Sequence, residues 1–447
     1  YERAGSGVAG LGTETSSSRH AYKPRASTGA GIASVTDHTG RVVTYQYGPG
    51  CNLIGVERYG SPWHSYGYVA GNLLTTDTNA LGQATTYAYD GSSRVVSMQL
   101  PGTVAAQTYN YSTPGVTVVT DPVGRATQVQ FDLNSKVTQV ANLASGMTMS
   151  YSYDTRGNLA HLGGSNGNDY EYDARGNLIR LESAHPTPGN PARLETLFTY
   201  DTCNQLVSTT DAMGRVTTNS YNPVTCHLTG ITDPLGHVTT FTNNARGQPT
   251  AIVDALGRQT LNTYDVRGNL VQTQDNAGNA TLMGYDLLNR KVSDTDAAGF
   301  VTTFAYDLFD RQTNIVAPNG GVTTMAYDAV GNLLSATNPD GNETIYAYDA
   351  RGNKTAVTDA LDETTTYAYD SVDRLIKVTD PFERETQIEY DAMDRPTRVI
   401  ANALSPTPQV TQLAYNDQAM IRTITNALGQ VTTFHMDSAD RVTRITN

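Results

Sequence analysis

Along most of this chain, runs of about five residues alternate between apolar and polar side chains, and each run ends at a turn signal. In Thr344-Ile345-Tyr346-Ala347-Tyr348, Tyr346 and Tyr348 share one face and Ile345 and Ala347 take the other, the two-residue period of a β-strand. No stretch carries a competing helical period. Two kinds of turn separate the runs. One is the Asp-Ala-Arg-Gly-Asn type that follows a tyrosine, as at Asp349–Asn353. The other is an Asp-x-x-Gly near mid-repeat, as in Asp275-Asn276-Ala277-Gly278 and Asp296-Ala297-Ala298-Gly299. Asp at the first position and Gly at the fourth suit a type I turn: the carboxylate accepts backbone N–H groups and Gly takes the positive φ that closes the loop. Each strand–turn–strand unit is thus a β-hairpin.

The hairpins recur at a fixed period. Tyr264-Asp265, Tyr285-Asp286, Tyr306-Asp307, Tyr327-Asp328, Tyr348-Asp349, Tyr369-Asp370 and Tyr390-Asp391 each stand 21 residues after the last, the signature of a repeat architecture. The expected fold is all-β: tandem 21-residue hairpins stacked edge to edge into a continuous antiparallel sheet. These fourteen residues are the expected structural anchors, Tyr packing on the strand of the neighbouring repeat and Asp starting the turn. Repeats occupy residues 32–447, irregular over 32–262 and mostly regular over 263–447, after a Gly/Ser/Ala-rich irregular lead-in at residues 1–31. Degenerate copies stand at Phe131-Asp132, Tyr200-Asp201 and Tyr221-Asn222, and Tyr415-Asn416 and Met436-Asp437 weaken the last units. Tyr59 to Tyr66 breaks the pattern and holds the lone Trp63; Ala184–Pro191 and Ala403–Gln409 read as loops off one edge of the sheet.

These units resemble the Rhs/YD-repeat family, whose motif is a Tyr-Asp, a Gly-Arg/Asn-Leu, then an Asp-x-x-Gly and a Thr-rich strand. Tyr172-Asp173-Ala174-Arg175-Gly176-Asn177-Leu178 and Tyr153-Asp154-Thr155-Arg156-Gly157-Asn158-Leu159 carry the likeness, which covers roughly nine-tenths of the chain. The resemblance implies a sheet wound as a spiral into a hollow shell or tube, often around a toxin domain. Related repeats build the cocoon of insecticidal toxin complexes and the extracellular barrel of teneurins. It also brings carbohydrate binding by exposed tyrosines as an alternative role for the repeats.

Composition adds limits. Only 38% of the 447 residues are apolar, with 27 Tyr, 8 Phe and 1 Trp, so a sheet with partly wet faces is expected rather than a large dry core. A net charge of −13 argues against nucleic acid and anionic membranes as partners, since both demand clustered Lys and Arg. No segment approaches the about 18 apolar residues of a membrane helix. No secretory signal is visible, and a start at Tyr1 is expected of a processed product or a portion of a longer chain.

Candidate chemistry is sparse. Asp121-Pro122-Val123-Gly124 and Asp233-Pro234-Leu235-Gly236 look like the Asp-Pro-x-Gly at which such shells cleave their own C-terminal end, but Arg125 and His237 replace the Leu that follows it. Both sit in the mid-repeat turn slot, so they are expected as turns. The distinctive end-of-shell segment, a toxin domain and an N-terminal plug are absent from the sequence, which resembles shell wall alone. The eight His residues are scattered, and the Asp and Asn spacing fits no calcium loop. No enzyme activity, cofactor or metal is therefore expected. Sequons at Asn110, Asn279, Asn342 and Asn353 follow from composition. Cys51, Cys203 and Cys226 are too few for a disulfide scaffold. Repeat-equivalent positions lie about 9–10 Å apart, so free thiols are expected unless the residue inserted after Tyr221 shifts the register.

Two functions follow. The chain is the shell wall of a bacterial polymorphic toxin that encapsulates an effector polypeptide, or it is an extracellular structural or adhesive protein whose repeats build a tube or fibre from copies of itself. Either is secreted or at the cell surface. About nineteen units are few for a closed shell, which favours a longer parent chain or assembly with further copies.

Overall fold

The computed structural model describes residues 23–26, 32–163, 167–184, 193–416, 421–436 and 442–446. Among these, forty strands form one sheet, with a single 3₁₀ turn at Pro49–Cys51 and no α-helix. Each strand pairs antiparallel with the strands before and after it in sequence, so the sheet is an uninterrupted meander. It starts at Lys23–Ala26, inside the segment expected to be an irregular lead-in, which pairs with Ile32–Thr36. The rest of the lead-in, His185–Pro191 of the Pro-rich insertion and Asp437 lie outside the described residues. The insertion after Ala401 forms the connection to the strand Gln409–Asn416.

Both turn types use one chemistry. After Val301–Tyr306, Asp310 N donates to Asp307 O at 3.3 Å and Asp307 N to Arg311 O at 2.9 Å. At mid-repeat, Gly299 N donates to Asp296 O and Asp296 N to Phe300 O, each at 3.0 Å. The fourth turn residue has positive φ in both, 87° at Gly299 and 68° at Asp310. Glycine adopts this conformation freely, and Asp and Asn tolerate it better than other side chains.

The two hairpins of a repeat differ in register. Across the Tyr-Asp turn, Ala305 pairs with Asn314 but Tyr306 with Gln312, so a bulge stands immediately before the tyrosine. The same shift recurs before Tyr264, Tyr285, Tyr327, Tyr348, Tyr369 and Tyr390. The mid-repeat hairpin between Gln312–Val316 and Val322–Tyr327 pairs without a break. A bulge bends its strand and adds right-handed twist, so one bulge per 21 residues curves the whole sheet in one sense.

That curvature brings the chain back onto itself. The His38 ring lies 2.7 Å from Leu287 O, and Arg41 Nη1 donates to Asp310 Oδ1 at 2.7 Å, contacts spanning 249 and 269 residues. Asn142 reaches Ala392 O across 250 residues. One circuit therefore takes about twelve to thirteen repeats, or about 24 strands, which at ~4.8 Å per strand closes a ring about 35–40 Å across. The wall is a single layer. Ala141 and Met436 are the buried apolar residues among those described, and no side chain is fully enclosed. One face is better covered than the other: Thr302, Phe304 and Tyr306 are half-buried while Val301, Thr303 and Ala305 are exposed.

The cysteines depart from expectation. Cys203 and Cys226 form a disulfide, with Cα atoms 6.2 Å apart. The turn after Tyr221 is one residue longer than its neighbours: Cys226 N donates to Asn222 O, four residues back, where the adjacent turns at Asp201, Asp211 and Asp233 bond three back. The extra residue carries Cys226 out of repeat-equivalence and toward the adjacent turn, the register shift that was the condition for a bridge. Cys51 is free and exposed.

Candidate functional site

The turns line the sheet along two rims, one carrying the Tyr-Asp turns and the other the mid-repeat turns. On the first rim each tyrosine closes the strand on the better-covered face. The hydroxyls of Tyr264, Tyr306, Tyr327, Tyr369 and Tyr390 donate to the carbonyls of Pro249, Lys291, Gln312, Lys354 and Leu375, fifteen residues earlier, at 2.8–3.1 Å. Tyr285 and Tyr348 end equivalent strands. The ring fills the half-buried face and, in those five, the hydroxyl satisfies the first carbonyl of the preceding repeat's return strand and ties two repeats together.

Each aspartate organises its own turn. Asp307 Oδ1 accepts Phe309 N at 2.8 Å and Arg311 N at 3.0 Å, and Oδ2 accepts Arg311 Nε at 2.6 Å. Asp286, Asp370 and Asp391 bind Arg290, Arg374 and Arg395 alike. In the turns of Asp265, Asp328 and Asp349 an asparagine amide, from Asn269, Asn332 and Asn353, replaces the guanidinium. Burial pushes the carboxyls of Asp265, Asp286, Asp307, Asp349, Asp370 and Asp391 up, but the backbone N–H groups and their side-chain partners outweigh it and hold all six below the ordinary aspartate value.

The arginine that ends the turn links it to the next repeat. Arg290 Nη1 donates to Asp307 O and Asp310 Oδ1, both at 3.0 Å, while its guanidinium lies 4.8 Å from the centre of the Tyr306 ring. Arg311 over Tyr327, Arg374 over Tyr390 and Arg395 over Tyr415 repeat the stack. Sequence inspection missed these arginines, although their Asp-x-x-x-Arg spacing marks them. It also missed Asn243-Asn244, where Asn243 Nδ2 takes the tyrosine's place and donates to Leu228 O at 2.6 Å.

Asp307→Ala removes the acceptor of three donors in one turn and should destabilise that repeat by about 2–3 kcal/mol, whereas Tyr306→Phe, which loses one neutral bond, should cost about 1 kcal/mol. Hydrogen exchange of residues 301–316 reads both. Equal protection in the two variants would contradict this ranking.

Where the coils meet, the Tyr-Asp rim of residues 286–394 lies on the mid-repeat rim of residues 37–142. Arg41 and Arg290 share the Asp310 carboxylate, and Arg125 and Arg374 share Asp394. Arg125 follows Arg41, and Asp394 follows Asp310, by the same 84 residues, four repeats, so the two joints are one contact recurring in register. Burial works against charge on Arg41 and Arg125, but their aspartate partners prevail and raise both pKa values. Beside the first of these joints is an apolar one: Phe309 packs 5.4 Å from Tyr59 and 6.2 Å from Trp63 between ring centres, with Arg58 4.7 Å over Trp63. Tyr59-Gly60, which breaks the repeat pattern, is a tight turn with both φ values positive, 55° and 81°.

Asp121 and Asp233, singled out for their Asp-Pro-x-Gly context, sit in ordinary mid-repeat turns. Asp121 accepts Val123 N, Arg125 N and Arg125 Nε; Asp233 accepts Leu235 N, His237 N and His237 Nδ1. A carboxylate saturated by its own turn is not poised to attack a peptide bond. Elsewhere, Tyr68, Leu74, Tyr87, Tyr89, Tyr109 and Tyr111 line an open, mainly apolar hollow of about 580 Å³. The Tyr89 and Tyr111 hydroxyls there are spent on the carbonyls of Leu74 and Val95.

The family model for the RHS repeat matches residues 227–259, 244–281, 285–322, 327–364, 355–382 and 369–403, and that for the teneurin YD-shell matches residues 63–233. No curated protein matches the chain significantly. Among solved structures, the crystal structure of TcdB2-TccC3-Cdc42 is similar over 93% of this chain and 26% of its own, at 13% identity and a TM-score of 0.66. That of TcdB2-TccC3-TEV gives 14% identity, the same coverage and 0.67. The Photorhabdus luminescens Tc holotoxin pore with a TccC3 point mutation gives 14% identity, 93% and 28% coverage, and 0.52. The chain thus spans about a quarter of the length of the solved chains it resembles. With the Tyr-Asp period, the hairpin meander and the coil that meets itself, these matches define its kinship: the chain belongs to the Rhs/YD-repeat family.

Proposed function

We propose that this chain is the wall of an Rhs/YD-repeat shell that encloses a toxin or effector polypeptide and acts outside the cell, secreted or at its surface. The observation that carries this is the coil-on-coil seam. A single-layer sheet that returns onto its own rim after 249–269 residues bounds a space instead of filling it. Continuous strand pairing leaves few open sheet edges to aggregate along the wall, which suits a container. The Tyr-Asp pairs from Tyr264 to Asp391 serve it as structural anchors: tyrosine ties each hairpin to the last, and aspartate shapes the turn that makes the rim. The wall's part is mechanical, with no chemistry assigned to it.

Native particles imaged by electron microscopy, with intact mass measured in parallel, test the proposal. The expected result is a hollow particle with a second polypeptide inside, which survives protease until denaturant opens the wall. Particles without a lumen, or an effector digested as fast as when free, would overturn it.

A further inference from the structure

Strand pairing between one repeat and the next stops short of the Tyr-Asp rim. Between the strands Leu206–Thr210 and Val216–Tyr221 it runs from Thr210 with Val216 to Ser208 with Thr218, all toward the mid-repeat end. The equivalent pair of strands further on stops at Asn314 with Thr324. Nearer the Tyr-Asp rim, one turn is joined to the next by side chains. At several steps the link is a guanidinium on a carbonyl: Arg156 Nη1 donates to Asp173 O at 2.6 Å, Arg175 Nη1 to Asp201 O at 3.1 Å and Arg246 Nη2 to Val266 O at 2.6 Å, as Arg290 does to Asp307 O.

The step from Asp201 to Asn222 is made differently. Gln205 stands in the slot that Arg290 fills in its own turn and carries no charge, and the next turn opens on Asn222 in place of aspartate. Here the Cys203–Cys226 bond joins the two turns. Beside it, Asn219 Nδ2 and the Tyr221 hydroxyl both donate to Leu206 O at 2.9 Å, two neutral bonds on one carbonyl. An arginine link weakens with salt, whereas a disulfide is indifferent to salt and yields to electrons. We propose that the Cys203–Cys226 bond is a reducible clasp in the wall. It closes this joint under oxidising conditions, and a dithiol reductant opens it, loosening the repeats that begin at Tyr200 and Tyr221 while more distant joints hold. The step is thiol–disulfide exchange. A thiolate of the dithiol attacks one of the two sulfurs, the bond between the cysteines breaks as a mixed disulfide forms, and the second thiol of the reductant displaces that. The reductant leaves as its own disulfide, and Cys203 and Cys226 take up two electrons and two protons as thiols. Disulfides persist outside the cell and are reduced in a cytosol, so the clasp distinguishes the two compartments. That its opening gives access to an enclosed space rests on the reading of this chain as a shell wall; the opening of the joint itself does not.

Hydrogen exchange of the 447-residue chain at neutral pH, with and without dithiothreitol and with thiols counted in parallel, tests this. The expected count is one thiol, Cys51, before reduction and three after it. Exchange should quicken about tenfold or more in residues 196–232 and stay unchanged in residues 301–316, whose turn Arg311 ties to Asp328 O. Cys203→Ser with Cys226→Ser should exchange like the reduced chain in both conditions, and Cys51→Ser should respond to the dithiol as the parent does. A bond that the dithiol leaves intact, three thiols before reduction, unchanged exchange in residues 196–232, or equal quickening in residues 301–316 would overturn the proposal. Particles without a lumen would remove the enclosed effector and leave a localised response to the dithiol standing, so the two readings fail separately.

Discussion

Phe309→Ala is expected to part the first coil from the second without unfolding either. Phe309 is half-buried, and its ring contacts Tyr59 and Trp63 of the other coil and lies 5.1 Å from the Arg311 guanidinium. Its removal should cost about 2–3 kcal/mol, below the value for a fully enclosed ring because part of the area is already wet. Each repeat packs on its sequence neighbours, so stability is held locally and the loss appears where the ring was. Hydrogen exchange should quicken in residues 37–63 and 286–311 and stay unchanged in residues 228–264, far from the seam. Arg41→Ala, which removes the ion pairs to Asp37 and Asp310 at the rim, should produce a smaller change at the same places, about 1 kcal/mol or less per pair. Uniform quickening along the chain would mean that the ring supports the sheet as a whole and not the seam.

Acid should loosen the wall by a different route, through the aspartates of its turns. Asp286, Asp307, Asp370 and Asp391 have folded-state pKa values held below the ordinary 3.8, because turn N–H groups and arginines favour the charged form more than burial opposes it. A carboxylate whose pKa is lowered by folding contributes stability that is complete above its unfolded value and is lost as pH falls through its folded one. The denaturation midpoint should therefore be flat at neutral pH and fall steeply once pH drops below about 4. The same turn recurs along the rim, so the losses accumulate. Replacing Asp307 and Asp391 by Asn should flatten that fall while lowering the midpoint at pH 7. A midpoint independent of pH down to 3 would show that the turns hold without their charge.

How much of this was legible beforehand follows from the range of the interactions. Asp296 and Gly299 announce a turn because the carboxylate and the positive φ act within four residues. Tyr306 announces a strand end because alternation is a property of neighbouring residues, and the 21-residue spacing carries that local signal along the chain. Arg290 was overlooked because a basic residue after a turn has a solvated alternative, and only its fit between Asp307 and the Tyr306 ring makes it a link. Cys203 and Cys226 were placed apart by counting repeats, which assumes equal turns; one residue added after Asn222 undid the count.

The sequence by itself thus determined an all-β chain of stacked hairpins, where the hairpins turn, and the family to which they belong. Tertiary structure alone decided how tightly the sheet coils and which rim meets which. The bulge before each tyrosine is a register choice between two paired strands, and the curvature is the sum of those choices over about twelve repeats. Arg41 with Asp310 and Tyr59 with Phe309 are partners because of that accumulated rotation. Nothing in either segment encodes the other, and so the seam, on which enclosure depends, exists only in three dimensions.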